Sequence, residues 1–562
     1  MHEFRSSGAP LSRRKAIAQM GWGSAALFAL TSSARGQQRA IPAVDDDALL
    51  ARIVAERQAF IPRRGPPYRL TRTVPISGGT IVLIEPGTRI VWAGPASDAS
   101  VQNAGAPTAV FEAMGDDVVL ATDGEGEAFV ECEEPRPFVY AAGMRGRRGF
   151  TVRNIQARNC QHVHVDSSAR EYRAVRTQGP DSNIARDVRV SGGGARFASP
   201  STQGHGSCLL AYVAGAHVSD VHYENVGNGV QWWGGDAGLL HWQNGARENE
   251  RKCTGLLIER VSVKRAQTGG IWGSMGRDVT VRDCRVEECL DVGFDAEGSD
   301  DVIFERCTAR NGHNGCFAAF FLNDGIRFVD CRGVVDNNAY PLFRIYNVTQ
   351  SNAHNRNIAV EGGRFECLDP TGPGTMDCAM GPVRELAITG ATLSNVRIDT
   401  LFLNMHHTRI ANNDLTFAQP LPTVPAIRAG GSRGLPGAPG TAIVANNRIR
   451  YTASSSSGEP IAIELVENDY NANADSKVIG NIVSGPFAVG IALVNASGNA
   501  GVVPQFEVAA NRFEGLAPSA RFLTVERTGG QAQAPVVRWD ATQTRNGKAT
   551  GLAQALGRSA PR

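Results

Sequence analysis

Three stretches of this chain repeat one pattern of residues: DVTVRDCRV at residues 278–286, DVIFERCTA at 301–309 and GIRFVDCRG at 325–333. The second begins 23 residues after the first, and the third begins 24 residues after the second. The same position in each copy is a cysteine: Cys284, Cys307 and Cys331. Self-similarity at a fixed period of roughly 20–50 residues is typical of a solenoid, in which each repeat packs only on its neighbours.

The repeat favours strands over helices. Each copy alternates apolar and polar residues over short runs that Gly, Asn or Asp separates, which is the pattern of strands joined by turns. A propeller blade needs about four strands in roughly 40–45 residues, more than one unit here can hold, and no leucine-rich repeat pattern is present. We therefore expect an all-β solenoid, a parallel β-helix with coils about 4.8 Å apart and the three cysteines stacked inside.

The ends of the repeat set the predicted domain boundaries. The stretch DDDALLARIVAERQAF, Asp45–Phe60, begins with acidic residues and has one apolar face that includes Phe60, so it predicts a short capping helix. The stretch Gly78–Trp92 reads as the first coil. We expect a lead-in and cap at residues 37–77, the β-helix at 78–527 and a loose tail at 528–562.

A solenoid of this period with an N-terminal capping helix resembles the right-handed parallel β-helix proteins of the pectate lyase-like superfamily, over residues 45–525. The resemblance implies a right-handed single-stranded β-helix with a long outer groove that acts on polysaccharides. Lyases, hydrolases and epimerases all occur in that superfamily, so the resemblance implies a class of substrate and not one reaction.

The N-terminus is typical of an export signal. Ser12-Arg13-Arg14-Lys15 precedes the apolar stretch Ala16–Leu30, and small residues follow at Ala34 and Gly36. The paired arginines resemble a twin-arginine (Tat) signal, and an ordinary Sec signal is the alternative. Residues 1–36 are therefore predicted to be a signal peptide, with the mature protein periplasmic or secreted.

Composition limits the partners. The 562 residues carry a net charge of only +2 and no basic block, so we expect no nucleic-acid partner. No apolar run reaches the ~20 residues of a membrane span. Of the 11 cysteines, only Cys367 and Cys378, which flank a Pro- and Gly-rich loop, look able to form a disulfide.

The strand that precedes each repeat supplies the candidate site. Three runs align, GVQWWGG from Gly229, GIWGSMG from Gly270 and GFDAEGS from Gly293. Because strand side chains alternate between faces, one column should be buried: Val230, Ile271 and Phe294. Two columns should face outward: Gln231, Trp272 and Asp295 in one, and Trp233, Ser274 and Glu297 in the other. The Cα atoms of Asp295 and Glu297 should be about 6.6–6.8 Å apart.

Further candidates lie on neighbouring coils. His164 and Asp166 share a strand that we place one coil earlier, with Asp166 in the Asp295 column. Two coils after the carboxylates, Arg344 and Tyr346 share a strand face. His313 lies in the turn directly after the carboxylate coil, and His406, further along the chain, is a candidate for substrate binding. The simplest alternative for Asp295 and Glu297 is that they are solvated surface side chains, and a calcium site is another.

These residues favour an enzyme that cleaves glycosidic bonds of an extracellular polysaccharide. In an inverting hydrolase, Asp295 and Glu297 would be general acid and base with carboxyl groups roughly 6.5–9.5 Å apart. In a lyase, Tyr346, His313 or Arg344 would take a proton from a uronate, and calcium held by the carboxylates would be the one possible cofactor. The tryptophans suit neutral sugars, which favours the hydrolase, and a non-catalytic binding or adhesion protein is the third alternative.

The export signal can be tested directly. Replacing Arg13 and Arg14 together by Lys keeps the charge but removes the arginine pair, so a Tat substrate should stay in the cytoplasm with its signal uncleaved. Cell fractionation measures the result. Unchanged export of the double variant would identify an ordinary Sec signal.

Overall fold

The computed structural model describes residues 45–95, 108–166, 185–200, 206–235, 252–346, 355–380, 383–400, 405–430, 440–453, 458–467, 475–496, 503–528, 534–540 and 542–556. The signal peptide predicted for residues 1–36 lies outside these ranges.

A short helix precedes the strands, as predicted. Helix α1 (Asp46–Ile53) buries Leu50 in the core. Its first carboxylates tie it to the first coil, since Asp46 Oδ2 accepts the backbone N–H of Arg69 at 2.8 Å and Asp47 Oδ1 accepts that of Thr71 at 2.9 Å. Phe60 does not belong to the helix. It lies in the first strand, where alternation points its side chain outward, and it is 46% exposed.

Forty-seven strands follow in the described ranges. The first sixteen are β1 (Gln58–Ile61), β2 (Tyr68–Leu70), β3 (Val74–Ile76), β4 (Ile81–Ile84), β5 (Arg89–Trp92), β6 (Thr108–Ala113), β7 (Val118–Thr122), β8 (Ala128–Arg145), β9 (Arg148–Asp166), β10 (Ala185–Arg196), β11 (Gly206–Ala211), β12 (Val213–Ser219), β13 (His222–Glu224), β14 (Asn228–Trp233), β15 (Cys253–Glu259) and β16 (Ser262–Lys264). The next sixteen are β17 (Ile271–Ser274), β18 (Gly276–Arg282), β19 (Arg285–Cys289), β20 (Val292–Glu297), β21 (Asp300–Glu305), β22 (Thr308–Gly312), β23 (Gly315–Phe320), β24 (Asp324–Val329), β25 (Arg332–Val335), β26 (Phe343–Tyr346), β27 (Arg356–Glu361), β28 (Arg364–Cys367), β29 (Gly374–Met380), β30 (Val383–Thr389), β31 (Thr392–Ser394) and β32 (Val396–Asp399). The last fifteen are β33 (Met405–Ala411), β34 (Asp414–Phe417), β35 (Pro425–Gly430), β36 (Thr441–Ala445), β37 (Arg448–Tyr451), β38 (Ile461–Glu467), β39 (Asp475–Ile479), β40 (Ile482–Ser484), β41 (Val489–Asn495), β42 (Gln505–Ala509), β43 (Arg512–Glu514), β44 (Arg521–Arg527), β45 (Val536–Trp539), β46 (Thr544–Arg545) and β47 (Lys548–Ala549).

From β11 onward, almost every strand pairs in parallel with the strand three places later in the chain. β14 pairs with β17 and β17 with β20, while β15 pairs with β18 and β16 with β19. Three strands therefore make one coil, and the coils stack into three parallel faces around one continuous apolar core. The face that holds β14, β17, β20, β23 and β26 is called the site face below. The predicted parallel β-helix is confirmed.

The β-helix is longer at both ends than the sequence suggests. β1 already pairs with β4, so the first coil begins at Gln58 and not at Gly78. At the other end β45 pairs with β42, and helix α2 (Leu552–Ala555) follows with Ala555 in the core. The described part of residues 528–562 thus continues the solenoid, because its backbone still finds partners on the preceding coil.

One turn position carries the repeat cysteines. Cys284, Cys307 and Cys331 are buried on consecutive coils, as predicted. Each thiol reaches a carbonyl of the preceding coil: Cys307 Sγ lies 3.4 Å from Val281 O, and Cys331 Sγ lies 3.3 Å from Phe304 O. Small side chains with a weak donor fit this narrow position.

Further along the chain the same turn position carries amides. The members of this amide ladder are Asn413, Asn447, Asn481, Asn511 and Gln543, all buried. Asn447 Nδ2 donates to Ile410 O at 2.9 Å and to Asn481 Oδ1 at 3.0 Å. Asn447 Oδ1 accepts the backbone N–H of Asn413 at 3.1 Å. Each asparagine of the ladder therefore hydrogen-bonds backbone groups of the coil before it, and its own side-chain N–H group donates to the amide of the coil after it.

The residue before this turn position has a left-handed backbone. The φ angles are 54° at Asp283, 50° at Arg306, 50° at Asp330 and 60° at Asn412. At Gly362 φ is 67°, and an added Cβ would lie 2.3 Å from Asp330 Oδ1. Gly, Asn and Asp adopt this conformation at least cost, which explains their abundance between the strands.

The cysteine prediction is wrong at one place. Cys367 and Cys378 are both buried and both free. Cys367 ends β28, Cys378 lies inside β29, and each side chain packs in the apolar core as a separate small residue. Within the described ranges, no helix has the length and apolar character to cross a membrane.

The amide ladder predicts a large stability effect for Asn447→Ala. The change leaves the Ile410 carbonyl and the Asn413 N–H buried without partners, and each such group costs roughly 1–3 kcal/mol. We expect the free energy of unfolding to fall by about 3 kcal/mol, measured by urea denaturation. Arg448→Ala, at the exposed neighbouring position, is the control and should change stability by less than about 0.5 kcal/mol. Equal stability of both variants would contradict the ladder.

Candidate functional site

The predicted columns of the site face are present in the structure. Gln231 pairs in register with Trp272, and Trp272 with Asp295. In the second column Trp233 pairs with Ser274, and Ser274 with Glu297. The column that precedes them, Val230, Ile271 and Phe294, is buried in the main core as predicted, and so are Trp232 and Ala296 in the column between the two outer ones. Asp295 and Glu297 therefore share the outer side of β20, as the alternation of the strand predicts.

These two carboxylates are not solvated. Asp295 is 0% exposed and Glu297 5% exposed, although neither side chain belongs to the apolar core. Burying an ionised carboxylate is costly unless the surroundings compensate for it. The interpretation of Asp295 and Glu297 as ordinary surface side chains is wrong, and a compensated structural or functional pair remains.

The two tryptophans are less exposed than predicted. Trp272 is 7% exposed, and its Nε1 donates to Asn228 Oδ1 at 2.8 Å. The same oxygen accepts the backbone N–H of Gly269 at 2.9 Å. An added Cβ at Gly269 would lie 2.5 Å from the indole Cδ1, so glycine is needed for this close approach. Trp233 is half-buried and meets Trp272 edge to face, with ring centroids 6.4 Å apart.

Gln231 has a structural contact that the sequence did not suggest. Its Oε1 accepts the backbone N–H of Gly206 at 2.8 Å, and the side chain is buried. The predicted role in substrate binding would need the remaining amide N–H groups of Gln231.

Arg344 and Tyr346 lie two coils after the carboxylates, as predicted. Ala318 follows Asp295 in the first column and is followed by Arg344, while Phe320 follows Glu297 in the second and is followed by Tyr346. Tyr346 meets Phe320 edge to face at 5.9 Å between centroids. The carboxylates thus lie between two small apolar clusters outside the main core. One contains Tyr140, Leu209, Ala211, Tyr212 and Trp233, and the other Val292, Ala318, Phe320, Phe321 and Tyr346.

Arg344 is held by polar partners. Its Nη1 donates to Asn314 Oδ1, and its Nη2 lies 3.3 Å from Asp377 Oδ2. Asn314 Nδ2 in turn donates to Asp291 Oδ1 at 2.9 Å. Asn314 lies beside the candidate His313 in the turn after the carboxylate coil, where the sequence places both residues.

A short polar ladder holds the ends of the site strands. Asn323 is fully buried, and its Nδ2 donates to Ala296 O at 2.8 Å and to Phe320 O at 2.9 Å. Its Oδ1 accepts the N–H of Ser299 at 2.9 Å, and Asn355 Oδ1 accepts the N–H of Asn323 at 3.0 Å. Ala296 is the residue between the two carboxylates, so the ladder fixes the backbone that carries them. The repeat register could have revealed it, since each member lies two residues before a copy start at Asp301, Gly325 or Asn357.

His164 and Asp166 are farther from the carboxylates than predicted. Asp166 shares the column of Ala211, Trp233 and Glu297, not that of Asp295, and His164 occupies the Asp295 column. β9 lies four coils before β20, about 19 Å away at the usual strand spacing. The weak repeat in this region did not fix the coil number. Neither residue can reach a bond held at Asp295.

The two remaining histidines are also displaced. His313 stacks on Tyr340 with ring centroids 4.2 Å apart, and partial burial lowers its pKa. Its side chain is exposed in the turn between β22 and β23. His406 lies in β33, which pairs with β30 and β36 on another face, and its side chain is outside the described residues.

The described residues give calcium little support. Ca²⁺ takes about 6–8 oxygen ligands. Beside Asp295 and Glu297 the adjacent column positions hold Trp272, Ser274 and Ala318, which offer one hydroxyl. Across the described part of the chain, no group of three or more His, Cys, Asp or Glu side chains is arranged to hold a metal ion.

Three solved structures illustrate how distant the similarity to this chain is. The A-module of the mannuronan C-5 epimerase AlgE6 from Azotobacter vinelandii is 13% identical, with a TM-score of 0.37 and coverage of 83% of this chain and 91% of that one. The pre-mature gene product 12 of bacteriophage phi29 is 9% identical, with a TM-score of 0.45 and coverage of 86% and 71%. The catalytic unit of a GH87 alpha-1,3-glucanase from Streptomyces thermodiastaticus is 13% identical, with a TM-score of 0.30 and coverage of 89% and 65%. Similarity at this level carries no argument about activity.

No curated protein matches the chain. Residues 207–358 match the family model described as right handed beta helix region. This range contains β12 to β26 and all of β11 except Gly206, and so includes the strands that carry Asp295, Glu297, Arg344 and Tyr346. Together with the parallel pairing of successive coils, the match identifies the chain as a right-handed parallel β-helix protein.

Proposed function

We propose that this protein is an exported enzyme that hydrolyses glycosidic bonds of an extracellular polysaccharide, with Asp295 and Glu297 as the acid–base pair. One observation carries the proposal. Two carboxylates on one strand are buried outside the core, between apolar clusters that contain Trp233 on one side and Tyr346 on the other. A few polar groups among aromatic side chains are typical of ligand sites.

The chemistry needs one protonated and one ionised carboxyl. The acid gives its proton to the glycosidic oxygen as the bond from that oxygen to the anomeric carbon breaks. The ionised partner accepts a proton from a water molecule as the water oxygen bonds to the same carbon, so the anomeric configuration inverts. The former acid then takes a proton from solvent and the former base releases one to solvent, which restores both groups. Either residue can take either role, and the Cα separation of about 6.6–6.8 Å is compatible with carboxyl groups roughly 6.5–9.5 Å apart.

Asn323 and Asn228 support this arrangement without touching the bond that breaks. Asn323 holds the carbonyl between the two carboxylates, and Asn228 holds the Trp272 indole beside them. Fixed geometry of this kind is what acid–base catalysis requires, since a small displacement of either group lowers the rate.

A lyase is the second candidate, because Arg344 and Tyr346 share one strand two coils from the carboxylates. A lyase would use a base to remove a proton from a uronate ring and would leave an unsaturated product. Partial burial lowers the pKa of His313, which favours the neutral imidazole that accepts a proton. Its position in an exposed turn, stacked on Tyr340, gives it less support than the carboxylate pair.

Amide variants test the acid–base pair. Asp295→Asn and Glu297→Gln keep the shape but remove the titrating group, and each should lower kcat by roughly 10²–10⁴. The measurement is release of reducing ends from whichever polysaccharide of a panel the wild type cleaves, with the melting temperature recorded for each variant. Glu361→Gln, whose carboxylate pairs with Arg327 on another face, is the matched control and should keep full activity. Full activity in both site variants would remove Asp295 and Glu297 from the mechanism.

The two reactions differ in product and in metal dependence. Hydrolysis should give reducing ends without an unsaturated ultraviolet chromophore and should continue in the presence of a chelator. A lyase that uses calcium would give new reducing ends together with the unsaturated chromophore, and its activity would stop when the chelator is added. The second result would replace the hydrolase by the lyase, and binding without any product would indicate a non-catalytic carbohydrate-binding protein.

A further inference from the structure

A row of charged side chains continues the Asp295 column toward the C-terminus. The charge row consists of Arg344 on β26, Asp377 on β29, Asp399 on β32, Arg428 on β35 and Glu464 on β38, together with Arg397, which lies beside Asp399 on β32 in the column of Thr375. Arg344 is in register with Asp377, Asp377 with Asp399, Asp399 with Arg428 and Arg428 with Glu464. These positions lie on consecutive coils of the site face, so the row follows the helix axis directly from the candidate site.

Every cation of the row is compensated by a neighbouring carboxylate. Arg344 Nη2 lies 3.3 Å from Asp377 Oδ2, Arg397 Nη1 lies 2.9 Å from Asp399 Oδ2, and Arg428 Nε lies 2.7 Å from Glu464 Oε2. Three guanidinium groups meet three carboxylates, and Asp295 and Glu297 add two more acidic groups at the N-terminal end of the row. Among the described residues of this row, no guanidinium carries an uncompensated charge.

The row keeps hydrogen-bonding capacity at its surface. The side chains of Arg344, Asp377 and Arg428 are 24%, 21% and 37% exposed. A guanidinium has five N–H donors and a carboxylate has about four acceptor positions, so one ion pair leaves several of each available. Sugar hydroxyls both donate and accept, and they can bind both members of such a pair.

A uronate polymer fits this surface poorly. Its carboxylates would approach carboxylates of the row, and like charges brought together at an interface are unfavourable. An anion on every sugar needs uncompensated cations, and the row offers none in the described structure.

We propose that the substrate is an uncharged polysaccharide whose hydroxyl groups bind along the charge row, and not a polyuronate. This inference rests on the proposed function, because it takes the outer side of the site face as the substrate path. It extends that function by naming the chemical class of the substrate and the side chains that select it.

Binding of defined polysaccharides to the Asp295→Asn, Glu297→Gln double variant separates recognition from cleavage. The probes are laminarin, xylan and dextran as neutral polymers, and polygalacturonate and alginate as anionic ones, measured by affinity electrophoresis at pH 8. An alkaline pH favours the ionised form of Glu464, because burial raises its pKa. We expect at least one neutral polymer to bind with the same affinity at low and physiological salt, and neither anionic polymer to bind.

Asp377→Asn then gives the charge row a local positive charge. It leaves Arg344 without its carboxylate, so binding of polygalacturonate or alginate should increase roughly threefold to fivefold at low salt and disappear at physiological salt. Asp399→Asn, which releases Arg397, should act in the same direction and guards against misfolding of the first variant. Asp336→Asn is the control, because it releases Arg310 on another face and should leave binding unchanged.

The outcomes distinguish the inference from the proposed function. Cleavage of a polyuronate by the wild type, abolished in the amide variants, would overturn the neutral-substrate inference and leave the acid–base pair in place. Binding of a neutral polymer without cleavage by the wild type would keep the inference and overturn the enzyme. Salt-sensitive binding of polygalacturonate by the double variant, no gain in Asp377→Asn and Asp399→Asn, or failure of every neutral probe to bind would each overturn the inference.

Discussion

Backbone pairing between successive coils is the constraint on which the rest of this structure depends. Each coil lies one strand spacing, about 4.8 Å, from the next, and the pairing is parallel from β1 to β46 in the described ranges. An equivalent position therefore meets the same position above and below. A polar side chain can enter such a narrow interior only where the neighbouring coil completes its hydrogen bonds, as Asn447 does between Asn413 and Asn481.

The same constraint places the candidate site. The ladder of Ser299, Asn323 and Asn355 runs along the ends of the site strands, and Asn323 holds the carbonyl of Ala296. The backbone between Asp295 and Glu297 is thus fixed by the neighbouring coil and not by the strand that carries the carboxylates. A ladder that stabilises the solenoid therefore also positions the two buried carboxylates.

The outer side of the site face changes character along the helix axis. Up to β23 it is mostly buried, and two small apolar clusters lie on either side of the carboxylates. Along the charge row from Arg344 to Glu464 it is charged and partly exposed, and each guanidinium is paired with a carboxylate. Burial strengthens the electrostatic effect of the polar groups near Asp295 on its reactivity. The paired charges of the charge row can bind hydroxyl groups but do not attract ions, because their charges cancel.

The sequence by itself determined the solenoid, its coil register between residues 229 and 346 and the shared side of Asp295 and Glu297, because a strict period of 23–24 residues assigns every side chain a column. It failed where that period weakens, so Asp166 was assigned to the wrong column and coil, and Phe60 and the tail to the wrong elements. Only the tertiary structure decided that the two carboxylates are buried and that Arg344 is already paired with Asp377. Exposure and ion pairing depend on which coils and turns meet across space, and a repeat pattern specifies the face of a side chain but not what covers or neutralises it.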